Sequence, residues 1–284
     1  MKKTKLPLVI AFSFLLSACS SSFVYNNLDW LLYWYLDDYI TLTSEQKSQL
    51  DRRVETWQAW HRTVELPKYQ QQINQLRSQL QTGPLDQEAW LSVFNEVQQS
   101  AKHLREKIAP ELAVMAQSLS PEQVDDLLSE WQENTTKRAD RRANTSPEKR
   151  LAERQKEHIA EIEDNIGKLT LEQQDVIRDH IKQLSSTSEY RTAYQYRLQL
   201  IVKNLFDNRP SNTTDHHFNN KLSDLIINPN QYKSAEHLAI SEQNKVIYSQ
   251  MMTELNRTLS DKQQQKLDTS LVELTQLMQS LMKD

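Results

Sequence analysis

Apolar residues recur at three- and four-residue intervals along nearly the whole chain. Leu28, Leu31, Leu32, Tyr35, Leu36 and Tyr39 fall at i, i+3, i+4, i+7, i+8 and i+11, one face of a short helix. Trp30 and Trp34 lie on another face of it, and a helix apolar nearly all round needs burial. Leu50, Val54, Trp57, Trp60 and Val64 mark a stripe over 43–66, which Pro67 should kink or restart. Ile73, Leu76 and Leu80 carry it to the break at Thr82-Gly83-Pro84. Asp86 then caps a helix with the stripe Trp90, Phe94, Val97, Ala101, Leu104 and Ile108, with Leu85 and Trp90 placed as a staple and a bend expected at Pro110. Later stripes are Leu151, Ile159, Ile162, Ile166; then Val176, Ile177, Ile181, Leu184; then Tyr190, Tyr194, Leu198, Ile201, Leu205. Phe218, Leu222 and Leu225 mark a short helix, and two long helices over 234–257 and 260–282 close the chain. The last carries Leu267, Leu271, Leu274, Met278 and Leu281 at near-heptad spacing, which invites a helical partner.

Four of these helices open alike. Leu42-Thr43-Ser44-Glu45-Gln46 recurs as Leu119-Ser120-Pro121-Glu122-Gln123, Leu169-Thr170-Leu171-Glu172-Gln173 and Leu259-Ser260-Asp261-Lys262-Gln263. Thr or Ser is the N-cap, and Gln three residues on reaches back to the cap's N–H, closing a capping box. Each cap contributes on the order of 1 kcal/mol.

Composition narrows the class. Only 2 of 284 residues are Gly, so the glycine-dependent dinucleotide, P-loop and nucleophile-elbow motifs are absent. No run of β-branched residues bounded by turn dipeptides marks a strand. The expected fold is all-α: an extended multi-helix bundle of long, kinked, antiparallel helices, with a lobe boundary open near 144–147. An internal duplication is conceivable from the boxes, although the halves match poorly outside them.

The N-terminus reads as an address. Lys2, Lys3 and Lys5 precede the short apolar run 6–16 and small residues before Cys19, a secretory signal over residues 1–18. Leu16-Ser17-Ala18-Cys19 resembles the lipobox of bacterial lipoproteins, which implies a diacylglyceryl group on the Cys19 thiol, cleavage before it and acylation of its amine. Cys19 is the only cysteine, so no intrachain disulfide forms. Ser20 in place of Asp implies sorting to the outer membrane, facing the periplasm. Residues 19–22 would be a short tether and 23–284 a periplasmic helical domain. With only three residues between Cys19 and Phe23, the first helix lies near the bilayer. Trp30 and Trp34 would then be buried either by later helices or, as membrane-proximal aromatics, at the lipid interface.

Cleavage removes three of the 34 basic residues and none of the 38 acidic ones, leaving 31 against 38, a formal net of −7. That argues against nucleic acid. Within this acidic chain, 137–156 holds eight basic and three acidic residues, net +5. Lys137, Arg138, Arg141, Arg142, Lys149, Arg150 and Arg154 are the candidate surface for an anionic envelope component or an acidic protein, against the alternative of a solvated, salt-bridged hairpin. Asn144-Thr145-Ser146-Pro147 interrupts the stretch and caps a new helix.

The lipobox, Tyr25-Asn26-Asn27-Leu28-Asp29-Trp30-Leu31, Trp34-Tyr35-Leu36-Asp37-Asp38-Tyr39 and Leu42 to Gln46 together resemble a family of uncharacterised gammaproteobacterial lipoproteins, over essentially the whole chain. That resemblance implies location and fold and brings no activity. The four boxes alone are also similar to the Leu-Thr-x-x-Gln motif of small periplasmic stress chaperones of the Spy and CpxP kind, all-helical ATP-independent binders of unfolded clients.

None of the seven histidines has Glu three residues before it, and no His-x-x-x-His occurs, so the di-iron bundle signature is missing. His216-His217 beside Asp215 is a solvated loop pair sooner than a metal site. No metal, cofactor or catalytic residue is expected. The leading expectation is a membrane-tethered, non-enzymatic binding or scaffolding protein; the alternative is a chaperone. An envelope hydrolase would need a pocket where carboxylate, imidazole and hydroxyl converge.

Overall fold

The computed structural model describes residues 25–209 and 216–283. Cys19, the signal segment, the tether and the Pro210–Asp215 loop lie outside the described residues. The chain is helical throughout: α1 (Leu28–Leu36), α2 (Ser44–Trp60), α3 (Leu66–Thr82), α4 (Gln87–Ala116), α5 (Pro121–Ala143), α6 (Pro147–Ile166), α7 (Leu171–Gln183), α8 (Ser188–Asp207), α9 (His217–Ile227), α10 (Ala235–Arg257) and α11 (Asp261–Leu281). No strand occurs among the described residues.

Local signals set the ends. All four capping boxes close reciprocally, at Thr43/Gln46, Ser120/Gln123, Thr170/Gln173 and Ser260/Gln263. Asp86, Ser146 and Ser234 cap α4, α6 and α10 with one side-chain bond each. Gly83 and Gly167 end α3 and α6 at φ 150° and 83°, conformations an L side chain resists. Pro67 acts differently from a simple kink. Residues His61–Glu65 form a π-helical turn, with Leu66 N–H donating to His61 O five residues back. This wide turn joins α2 to α3 in one rod, and Pro67, in the first turn of α3, has no amide to leave unpaired. Pro110 lies inside an uninterrupted α4.

The boxes do more than cap. Gln46 Nε2 donates to Gln123 Oε1 at 3.0 Å, and Gln123 Nε2 returns the bond to Gln46 Oε1 at 2.8 Å. Each amide's other N–H goes to the carbonyl five residues before its partner, Ser118 at 3.1 Å and Thr41 at 2.7 Å. Gln173 and Gln263 repeat the arrangement at 2.9 and 2.8 Å, with Thr258 and Lys168 as the carbonyls at 3.0 and 3.1 Å. Each Oε1 accepts from its own cap N–H and from its partner, Gln263 Oε1 also from Ser260 Oγ at 3.1 Å, and each Nε2 donates twice, so the side-chain amides are satisfied. The helix starts are thereby locked in pairs, α2 with α5 and α7 with α11.

Between the locks the two halves interlock. α4 packs on α2, α9 and α10; α3 on α11; α5 on α8; α7 on α6 and α10. One core joins Ala113 and Val124 to Val202, Phe206, Phe218, Leu222 and Leu225; another joins Ile166, Leu169, Ile177 and Ile181 to Met251 and Leu255. Ala109 and Ala113, with no exposed surface, let α9 approach α4 closely. Leu274, Leu277, Met278 and Leu281 pack on Leu66, Tyr69 and Ile73. The partner invited by the α11 heptads is therefore internal, and Arg77 clamps it with a bidentate bond to Asp268 at 2.6 and 3.0 Å.

Several stripes are displaced from their expected residues. Val97 is exposed and Ala101 lies at the surface, because the buried face of α4 runs through Trp90, Ala109 and Ala113. In α8 the fully buried positions are Tyr194, Gln199, Val202 and Phe206, with Leu198, Ile201 and Leu205 only partly covered. α1 buries Leu28, Leu32, Tyr33 and Leu36 against Leu50, Val54 and Trp57. Later helices do not cover Trp30, which is 61% exposed, nor Tyr35; Trp34 is half-buried. Tyr33 takes the inward position because its hydroxyl bonds Asp51 and Lys47 O.

Candidate functional site

A concavity of about 730 Å³ lies between α3 and α4 on one side and α6, α10 and α11 on the other. The first half contributes Leu76 and Leu80 from α3 and Trp90 and Phe94 from α4; α6, α10 and α11 supply the opposite walls, including Ile162, Met251, Met252, Leu267 and Leu271. Trp90 Nε1 is buried without a hydrogen-bond partner among the described residues, which is costly for an indole N–H. The size is that of small-molecule sites, and the lining is mainly aliphatic and aromatic.

One wall carries a polar chain. Tyr248 Oη lies 3.0 Å from His158 Nε2, and His158 Nδ1 lies 3.7 Å from Glu161 Oε2. Burial pushes the Tyr248 phenol above its ordinary value, Arg154 opposing, and the His158 bond holds Glu161 below the usual carboxylate range. Carboxylate, imidazole and hydroxyl do meet here, but the hydroxyl is a phenol held protonated. The set orients a hydrogen-bond donor better than it makes a nucleophile.

The basic stretch separates into two groups. Lys137 pairs with Glu133, Lys149 lies 3.9 Å from Glu153, and Arg138 and Arg141 remain outside the α5–α6 hollow. Arg142 and Arg150 instead line a second cavity of about 640 Å³ between the α5–α6 turn and the start of α8. Arg142 Nη2 bonds Ser186 Oγ at 2.7 Å; Arg150 Nη1 bonds the carbonyls of Arg142, at 2.8 Å, and Thr145. Burial and the charges of Arg150, Arg154 and Arg191 hold Arg142 below its ordinary value, with Glu189 opposing. The sequence stretch thus supplies three of the cations, and Arg191 comes from α8, 37 positions beyond Arg154.

A third cluster gave no signal in the sequence beyond a Glu before a Pro. Glu65, 1% exposed within the π turn, accepts from Lys68 Nζ at 2.9 Å and sits 2.7 Å from His103 Nδ1. Burial raises its carboxyl, but these two partners outweigh that and hold it below the usual range. Next to it, burial lowers His61, whose Nδ1 lies 2.9 Å from Tyr25 Oη. These groups satisfy one another and tie Tyr25, α3 and α4 to the rod.

Among the described residues no group of three or more His, Cys, Asp or Glu is arranged to hold a metal ion. No helix among them is long and apolar enough to cross a membrane.

Interlocked helices around an apolar cleft define an all-α protein with binding-site geometry. The chain belongs to a family of unknown function, DUF6279, whose model matches residues 38–238. This span is narrower than the whole-chain resemblance and begins after most of the aromatic segment that carries it. Comparison with curated proteins and with solved structures gives no match.

Proposed function

We propose that this chain is a non-enzymatic binding protein, tethered by lipid on Cys19 to the periplasmic face of the bacterial outer membrane, and that the cleft between its halves holds the hydrocarbon part of an amphiphile. The observation that carries the reading is the cleft: about 730 Å³, walled by Leu76, Leu80, Phe94, Leu267 and Leu271, with an orphaned Trp90 N–H at its edge. Burying an acyl chain there gains ~0.8 kcal/mol per CH₂. The Tyr248–His158–Glu161 chain supplies a polar group at one wall to which the head of an amphiphile can hydrogen-bond.

Trp90 is the reporter. A brominated fatty acid should quench the part of the tryptophan emission that Trp90→Phe removes, and Leu271→Trp, which fills the cleft, should abolish saturable quenching. Quenching unchanged by Leu271→Trp would refute the site. The tether is tested separately: Cys19→Ser should move the protein from the detergent phase to the aqueous phase.

The chaperone reading rests on the Leu-Thr-x-x-Gln boxes. Their glutamines are engaged with one another, which favours an architectural role for the motif. Suppression of client aggregation at near-equal stoichiometry would restore that reading.

A further inference from the structure

Apart from the cleft, the hollow lined by Arg142 and Arg150 has the features of an anion site. It is a cavity of about 640 Å³, with Thr145, Ser146, Ser188 and Thr192 adding polar groups and Glu189 the single acid on its wall. Among the described residues, none of Arg142, Arg150, Arg154 or Arg191 has a carboxylate within ion-pair distance. Other cations of this surface do have a carboxylate, as in Lys137–Glu133 and Lys203–Asp207. Here two guanidinium groups line one hollow, and burial first, then the charges of Arg150, Arg154 and Arg191, hold Arg142 below its ordinary value. Such an arrangement costs the fold unless a counter-charge occupies it.

Geometry favours a particular anion. Arg150 spends one nitrogen, Nη1, on the carbonyls that end α5, and Arg142 spends Nη2 on Ser186. The remaining edge of each guanidinium has no partner among the described residues. α6 and α8, 20 residues each, both begin at this hollow, behind Ser146 and at Ser188. Both starts carry partial positive charge, but only α8, which has no side-chain cap, presents free N–H groups, beyond Ser188, whose own N–H goes to Ser186 Oγ; α6 opens on Pro147 and spends the Lys149 N–H on Ser146 Oγ. A tetrahedral anion with three or four oxygens can use guanidinium edges and helix N–H groups together, where a flat carboxylate would use one fork. The hollow is far larger than bare phosphate, so it has room for the group the phosphate is attached to.

We propose that the Arg142–Arg150 hollow is a binding site for a phosphate group, held by Arg142 and Arg150 of the α5–α6 hairpin. The phosphate is either the headgroup diester of a phospholipid or a soluble phosphate.

The test uses the full chain carrying Cys19→Ser, so that lipidation does not itself drive vesicle binding. Thermal midpoints are measured with sodium phosphate and with sodium chloride at equal ionic strength. Co-sedimentation is measured with phosphatidylglycerol vesicles and with phosphatidylcholine vesicles. A soluble ligand raises the midpoint by about 3 °C at ten times its dissociation constant, in phosphate only. A headgroup ligand gives instead at least tenfold more sedimentation with phosphatidylglycerol. Arg142→Gln should remove whichever response occurs and the pair Arg154→Gln and Arg191→Gln, whose charges act on Arg142 from outside the lining, should weaken it, while Arg141→Gln keeps it. Arg150 is left intact because it caps α5. Circular dichroism at 222 nm confirms that each variant folds. A midpoint equal in both salts together with no vesicle preference overturns the proposal, and so does a response that survives both sets of arginine substitutions.

Discussion

The two glutamine locks share the same amide and carbonyl bonds and differ in their surroundings. Gln173 and Gln263 are 2% and 7% exposed, whereas Gln46 and Gln123 are half-buried at the surface. Water can replace a lost partner at the first lock and not at the second, so equal geometry should yield unequal energy. The contrast separates what a hydrogen-bond pattern specifies from what it contributes. Both locks set which helix starts meet, and the buried one should carry most of the stability.

The largest effect is expected from Gln173→Glu. A carboxylate there has no N–H for Gln263 Oε1 or Thr258 O and is buried without a cation, costing roughly 4 kcal/mol in urea unfolding at pH 7. Burial raises the new carboxyl, so part of the loss should return as it is protonated at lower pH. The same change at Gln123 should cost under half as much. Gln173→Ala comes next, at roughly 3 kcal/mol for a broken box and an orphaned Gln263, against about 1 kcal/mol for Gln123→Ala. Equal values at the two positions would break the comparison. A double-mutant cycle on each pair sharpens it: coupling of about 2 kcal/mol is expected for Gln173/Gln263 and under about 0.5 for Gln46/Gln123.

The smallest effect is a pH dependence with one source in each half. Burial holds His61 and His237 below the usual 6.5, helped at His237 by Lys233 and Arg191 and opposed at His61 by Glu65. Both are neutral in the fold, and the unfolded chain takes up protons that the fold refuses. Stability should therefore be flat above about pH 7.5 and decline as pH falls through 6.5 toward the folded values. His61→Phe and His237→Phe should each flatten part of that decline by under about 1 kcal/mol, read from denaturation midpoints between pH 5 and 8. Glu65 is a carboxyl held low, so its contribution is present above 4.5 and is lost only as pH falls below that.

What the sequence reveals follows the range of the physics. Caps and stops depend on neighbours within a few residues, so Ser146, the break at Gly83 and all four boxes were legible. The pairing of the boxes was not, because Gln46 and Gln123 meet across 77 positions. One clue was present: N3 is Gln in all four, where Glu closes a capping box equally well but cannot donate to a partner. The α8 stripe found one edge of the buried face: Leu198, Ile201 and Leu205 pack on the core, whose centre lies one position on at Val202 and Phe206, against Phe218 and Leu222 of α9. The arginine hollow was half visible as a charge run, without the Arg191 charge that also acts on Arg142. The cleft was not legible at all, since its walls come from five helices whose apolar faces each look like ordinary core.

The wide turn at His61–Glu65 also has a consequence for how this chain tolerates change. It spends one residue more than an α-helical turn does, and so rephases the rod beyond it. Removing one residue there would let the turn close as an ordinary α turn and keep Tyr69 and Ile73 on the closing helix, whereas a deletion elsewhere in the rod would rotate everything beyond it by about 100°. The turn is thus the one place where the rod has slack in its spacing, although Glu65, buried and bonded to Lys68 and His103, is not free to change.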